Sequence, residues 1–424
     1  MAIGCYRSIS LDCIIYHISL ESTMTNISSD SITTTSRSAS TALAKTLSDP
    51  DLNFVQRYDA VRSYLDSLAK PVGSLGSIED FAARLAALQR SATPSVDNPV
   101  CLIFAADHGV AKDKSEGGIN CSSYPQAVSR KVLEALDHGS AGASVLARCN
   151  NVHLRVIDVG LADGPASEKE YEWSQTIVRS SEETRVVQDG TKNFCIGSAM
   201  SDIEVAKCIL TGRRETRQYI NEMKSDIVIF GEVGIGNTTT SSALIAALCG
   251  IDVKSLCGTG ASITRDGIDD DVVNKKITII EEAMAYHNAA TMLKGAPLPT
   301  LAAVGGAEIA AIVGGILEAT DRDIPILVDG FIVTTAAMIA CQIDPDVTRN
   351  LLFATQSTEQ GQTIALNIIN DIAKAKNDPA PAQPALNMNL RMGEGTGALM
   401  AVPLLRSACA VLAELATLNE VLSL

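Results

Sequence analysis

The sequence predicts an α/β protein built on a Rossmann-like parallel sheet with flanking helices, and three observations predict it. Short apolar runs of strand length ("VCLIFAADHG", "VHLRVIDVG", "DIVIFGE" and "IPILVDG") each end at a polar residue followed by glycine or a loop. Helix-like segments of about 10–20 residues separate them, and such alternation implies crossover helices on a parallel sheet. Aromatic residues make up only 4% of the 424-residue chain while Ala, Gly, Ile, Leu and Val abound. A core of small aliphatics suits that architecture better than a β-sandwich.

Taken in order, residues 1 to about 48 read as an extension. Ser22–Ser48 is dominated by Ser, Thr, Asn and Ala with few apolar anchors, a composition that predicts disorder. Ahead of it, "ISLDCIIYHISL" is interrupted by Asp12 and lacks a strongly basic start, so it is a poor secretory signal and an ambiguous transit segment. Met24 is an alternative start. Ordered chain is expected from near Asp51. Helical periodicity runs through "FVQRYDAVRSYLDSL" and "SIEDFAARLAALQR", with Pro71, Gly73 and Gly76 of "KPVGSLG" breaking the helix between them. Residues 49–95 therefore form an N-terminal helical part, and 96–424 an α/β catalytic domain ending in the apolar helix "ALMAVPLLRSACAVLAELATL". The most apolar stretches, 324–343 and 397–413, are broken by Asp329 and Arg406. A bilayer span needs about 20 apolar residues with few charges, so these read as buried core.

Charge and composition exclude several functions. A formal net charge of −15 offers no basic field to a nucleic-acid backbone. The 11 cysteines and 5 histidines are dispersed, whereas a zinc site needs clustered ligands. Reduced thiols in a cytosol-like compartment are expected.

The strand ends carry the chemistry. In open α/β sheets ligands bind outside the carboxyl ends of the strands, which places Asp107, Asp158, Glu232 and Asp329 on one rim. "FGEVGIGNTTTSS", Phe230–Ser242, joins a strand to a helix. Gly231, Gly234 and Gly236 let backbone approach a ligand, Asn237 and Thr238 can cap the helix, and free N–H groups there favour phosphate. It is neither a P-loop nor a G-x-G-x-x-G fingerprint, which leaves a monophosphate as the simplest anion. Glu394 of "LRMGEGTGALM" is bracketed by Gly393, Gly395 and Gly397. It can meet a ligand directly, complement the dipole of the following helix, or pair with Arg391. In "CGTGASITRDGIDDDVVNKKITII", Gly258 and Gly260 make a second loop and Lys276 begins an apolar helical run. A sugar phosphate reconciles anion site and carboxylates, because ribosyl transfer passes through an oxocarbenium-like state.

Eight stretches occur in order from Lys70 to Ala398: "KPVGSLG", "AADHGV", "SSYPQAVS", "GTKNF", "GEVGIGNTTT", "VGGAEIAAIVGG", "LVDGF" and "RMGEGTGA". Together they resemble the nicotinate-nucleotide–dimethylbenzimidazole phosphoribosyltransferase family over everything after about residue 50. The resemblance implies transfer of phosphoribose from nicotinate mononucleotide to 5,6-dimethylbenzimidazole, giving α-ribazole 5′-phosphate and nicotinate for the lower ligand of cobalamin. It implies a small helical domain built from both chain ends, a homodimer, no cofactor or metal, and no nucleic-acid or membrane partner. It makes Glu394 the catalytic base. Glu232 with Gly234, Gly236, Asn237 and Thr238 becomes the ribose-phosphate loop, Lys276 a phosphate-side lysine, and Tyr124, Val132 and Val233 the base pocket. The compartment implied is the cytoplasm, or an organelle if the extension is a transit segment. Thr355 and Gln362 of "ATQSTEQGQ" stand where relatives carry histidines, and Ala307 stands where an aromatic is usual. The alternatives are the same transfer to another base or a phenol, or a catalytically silent nucleotide-binding homologue.

Overall fold

The computed structural model describes residues 40–112, 117–119, 121–122, 124–162, 176–181, 183–258, 263–264, 267–268, 270–381 and 383–423. Three helices open it: α1 (residues 40–47), α2 (Phe54–Asp66) and α3 (Ser77–Gln89). Next come β1 (Pro99–Ala106), α4 (Ala127–Asp137), α5 (Gly142–Cys149), β2 (His153–Gly160) and β3 (Thr176–Arg179). The middle of the chain runs α6 (Asp202–Met223), β4 (Ile227–Val233), α7 (Asn237–Cys249) and a short antiparallel hairpin of β5 (Ile263–Thr264) and β6 (Gly267–Ile268). Helices α8 (Asp270–Tyr286), α9 (Ala289–Met292), α10 (Pro297–Val304) and α11 (Ala307–Thr320) lead to β7 (Ile326–Val328). The chain closes with α12 (Phe331–Ile343), β8 (Leu351–Phe353), α13 (Gln360–Ala375), α14 (Thr396–Glu414) and α15 (Leu418–Leu422).

Six strands form one sheet in the order β3-β2-β1-β4-β7-β8, every pair parallel. Counted along the sheet alone, this is the doubly wound order 3-2-1-4-5-6, whose direction reverses between β1 and β4. The α/β reading holds. Strand β1 shows why its sequence is apolar throughout: Val100, Leu102, Phe104 and Ala106 face one core, and Cys101, Ile103 and Ala105 face the other. Both faces of a parallel sheet are covered, so period-two alternation gives way to an unbroken apolar run.

Helices α6, α7, α11 and α12 contribute to the first core, and α3, α5 and α14 to the second. α6 and α11 approach to backbone contact, since a Cβ on Gly212 would lie 1.8 Å from the Ala311 carbonyl oxygen and one on Gly314 2.0 Å from that of Ile209. α14 is long and apolar enough by composition to cross a membrane. It packs instead on α3, α5 and β4.

The N-terminal expectation needs correction. What was expected of residues 1–39 lies outside the described residues, but 40–47 form a helix ahead of the expected boundary near Asp49. Leu43 and Leu47 stand one turn apart, both buried in the second core. Two leucines at helical spacing anchor a segment whose Ser/Thr-rich surroundings hide them.

Candidate active site

A cavity of about 270 Å³ opens at the carboxyl ends of β4 and β7. The ten residues to which the resemblance gives a role all line it: Glu232, Val233, Gly234, Gly236, Asn237, Thr238, Lys276, Glu394, Tyr124 and Val132. α7, α12, α13 and α14 all begin at its wall. Their N-terminal N–H groups and dipoles bring partial positive charge to the cavity wall.

The loop after β4 is shaped by what lies beneath it. Gly236 takes φ +103° and is itself the N-cap of α7. This corrects the expectation that Asn237 and Thr238 cap the helix; no side chain caps it. The Asn237 amide donates instead to Glu232 Oε2, and the Ile235 N–H donates to Ser129 Oγ on α4 at 3.1 Å. A Cβ on Gly234 would sit 2.3 Å from the Ala106 carbonyl oxygen and 3.1 Å from His108 Nε2, so only glycine lets the loop lie flat on the end of β1.

Glu232 is the penultimate residue of β4, with 7% exposure. Its carboxylate accepts the backbone N–H of Glu394. Burial, then Glu308, Asp329 and Glu394, push its pKa well above the carboxylate range. Glu394 lies in a run of left-handed backbone, with φ +75°, +59° and +76° for Gly393, Glu394 and Gly395. For a residue with a Cβ that conformation is strained, a state that persists where surrounding structure imposes it. Asp329 is part of that structure: its Oδ1 accepts the Ala398 N–H at 3.0 Å, and further backbone bonds come from Gly330, Gly397 and Gly395.

The Glu394 carboxyl is 8% exposed, and its Oε2 has no hydrogen-bond partner among the described residues. Burial raises its pKa to about 7 despite the Ala143 N–H at the start of α5, with Asp329 adding to the rise. A carboxyl in the cavity lining that gains and loses a proton near neutrality, with one buried oxygen left unpartnered among the described residues, suits a general base. No ion pair joins Arg391 to Glu394 among the described residues; Arg391 Nε donates to Thr358 Oγ1 at 3.1 Å.

Lys276 lies inside α8 rather than at its start, and it is buried. Its Nζ donates to Thr238 Oγ1 at 3.0 Å and to the Gly258 carbonyl at 3.2 Å. Burial lowers its pKa, opposed chiefly by Glu359. Tyr124 is 46% exposed at the opposite chemical extreme, an apolar ring in a wall with Val128 and Val132.

Two of the four strand-end acids do not line the cavity. Asp107 accepts the Ala162 N–H at 2.9 Å, and Asp158 is buried between Arg185, Arg130 and Ser180 Oγ. They hold loops. Sequence reading missed His108, whose Nε2 lies 2.8 Å from Glu308 Oε1 and whose Nδ1 lies 2.9 Å from Thr240 Oγ1, all three buried. The "AADHG" and "GGAE" stretches carried the signal, but nothing in their spacing joins them.

Comparison with known proteins decides the family. A family model described as phosphoribosyltransferase matches residues 54–421. The chain belongs to this phosphoribosyltransferase family. It is 36% identical over 375 residues to the nicotinate-nucleotide–dimethylbenzimidazole phosphoribosyltransferase of Bradyrhizobium diazoefficiens, covering 88% of this chain and 95% of the relative. The Pseudomonas putida enzyme of the same name is 37% identical, with 85% and 93% covered. The crystal structure of the Thermus thermophilus enzyme superposes with a TM-score of 0.71 at 31% identity, covering 86% of this chain and 97% of that one. The chain is thus an enzyme of the pentosyltransferase class. In this phosphoribosyltransferase Gln362 is fully engaged: its amide donates to the Thr355 carbonyl at 2.9 Å and to Thr334 Oγ1, and its Oε1 accepts the Ser357 N–H. Ala307 is buried at the first turn of α11.

Proposed function

We propose that this phosphoribosyltransferase transfers phosphoribose from nicotinate mononucleotide to 5,6-dimethylbenzimidazole, releasing nicotinate and α-ribazole 5′-phosphate. The observation that carries the reading is the union in one cavity of a glycine-floored helix N-terminus with Lys276 and a glycine-bracketed Glu394. The names of the relatives supply the substrates.

In this reading the phosphate rests on the start of α7 and on Lys276. Nicotinate leaves C1′ as a neutral pyridine nitrogen, so no general acid is needed. The azole attacks through one nitrogen and surrenders its N–H proton from the other to Glu394. Attack opposite the departing ring inverts β to α. Glu232 supports positive charge at C1′, and the pyridinium of the donor favours its ionised form. Tyr124, Val132 and Val233 border the aromatic base, and the chain works as a homodimer.

Incubating the full chain with nicotinate mononucleotide and a panel of bases, with products identified by mass, tests the proposal. Formation of α-ribazole 5′-phosphate supports it. Turnover only with adenine or a phenol would move the acceptor class, and no turnover with any base would leave a nucleotide-binding homologue. Light scattering should give about twice the 44.6 kDa chain mass.

A further inference from the structure

We propose that Arg391 is the second cation of the phosphate site, completing with Lys276 a clamp on the 5′-phosphate of the donor. The proposal rests on the ribosyl-phosphate reading of the cavity. Charge along one wall motivates it. Lys276 is buried, bonded to Thr238 Oγ1 and to the Gly258 carbonyl. Glu359 stands close enough to Lys276 to oppose the effect of its burial, and its carboxylate lies against Gly258, where a Cβ would be 2.4 Å from Oε2. Lysine and glutamate therefore offset each other, and a phosphate carrying nearly two negative charges meets no net cation there.

The missing charge stands further along the same wall. Thr358 directly precedes Glu359, and its Oγ1 accepts Arg391 Nε. Thr358, Glu359, Lys276 and Arg391 all line the cavity. With Nε held, the two terminal amino groups of the guanidinium are left for a ligand, and among the described residues no carboxylate forms an ion pair with Arg391. Its backbone is steadied from the other side, because Gly393 packs on Glu232 Oε1, which a Cβ would approach to 2.3 Å. A planar guanidinium fork matches phosphate oxygens two at a time, which a lysine cannot do.

The test is the equilibrium Kd of the full chain for three donors: nicotinate mononucleotide, its dephosphorylated riboside, and nicotinamide mononucleotide. Arg391→Met should weaken both mononucleotides by about tenfold or more, the scale of a charge-assisted bond, and leave the riboside unchanged. Arg391→Lys should recover part of the loss. Thr358→Val keeps the arginine but frees Nε, and should give a smaller loss of the same kind. Equal weakening of riboside and mononucleotides would overturn the proposal, as would no weakening at all. A loss confined to nicotinate mononucleotide would also overturn it, by assigning Arg391 to the ring carboxylate. Failure of the ribosyl-phosphate reading is separable: the wild-type chain would then bind mononucleotide no better than riboside.

Discussion

The carboxylate of Glu232 accepts the backbone N–H of Glu394. The two glycine-flanked acids therefore form one unit, in which the end of β4 fixes the left-handed turn that carries the second carboxyl. Asn237, at the first turn of α7, completes the joint by donating to the same Glu232. In the proposed reading a phosphate sits beside carboxylates, and helix N-termini ease that conflict. α7, α12, α13 and α14 all present theirs to the cavity, adding to what the Lys276 and Arg391 side chains in the same lining set against Glu232, Asp329, Glu359 and Glu394.

That joint can be tested at a residue that touches no ligand. A Cβ on Gly231 would lie 2.7 Å from the Glu394 carbonyl carbon and 2.8 Å from the Gly395 nitrogen. Gly231→Ala should push the 393–395 turn off β4 and lower kcat by at least tenfold. Donor KM should rise less than kcat falls, because Lys276 and the α7 start stay in place and only Arg391 is carried with the turn. Steady-state kinetics with circular dichroism checks it; equal loss in kcat and donor affinity would mean that β4 itself had shifted.

Truncation probes the N-terminal helix. A chain beginning at residue 40 should keep full activity and thermal stability. One beginning at Asp51 loses Leu43 and Leu47 from the second core and should melt several degrees lower. Leu47→Ala, at 0% exposure, should alone cost about 2–5 kcal/mol. Denaturant unfolding measures both.

How much was legible follows from the physics of each element. β1, β2, β4 and β7 could be read because each apolar run ends in a polar residue and a loop. β3 and β8, at 4 and 3 residues, are about as short as β7 but lack the acid and glycine that mark its end. Glu232 and Glu394 were legible because glycines strip away neighbours that would mask a carboxylate. His108 and Glu308, 200 residues apart, meet only through the packing of α11 on β1. α1 was hidden because composition averages over the two leucines that bury it.

The buried acids should also make the empty enzyme sensitive to alkali. Burial raises the folded-state pKa of Glu394 to about 7 from an ordinary 4.5. The folded state thus holds a proton that the unfolded chain releases. The stability linked to that proton is complete below about pH 4.5 and lost as pH rises through about 7. Glu394→Gln, which needs no proton, should gain thermal stability over wild type as pH goes from about 5 to 8. A gap in Tm that stays constant across this range would show that Glu394 titrates normally.

The sharpest division is between the two glutamates. If Glu394 takes the azole proton, activity should fall as pH drops below about 7, where its carboxyl becomes protonated. Glu394→Gln keeps size and polarity but cannot accept a proton. With benzimidazole it should lower kcat by a factor on the order of 10²–10⁴ while KM changes little. With 1-methylbenzimidazole, whose free nitrogen attacks without a proton to lose, the defect should shrink to a few-fold. Glu232→Gln acts differently. It replaces the acceptor of the Glu394 N–H and removes charge near C1′, so its defect should be the same with both azoles. Turnover of the two variants with the two acceptors, each at pH about 6 and 8, separates the roles. If Glu394→Gln cripples both acceptors equally, Glu394 positions substrate and the proton leaves by another route.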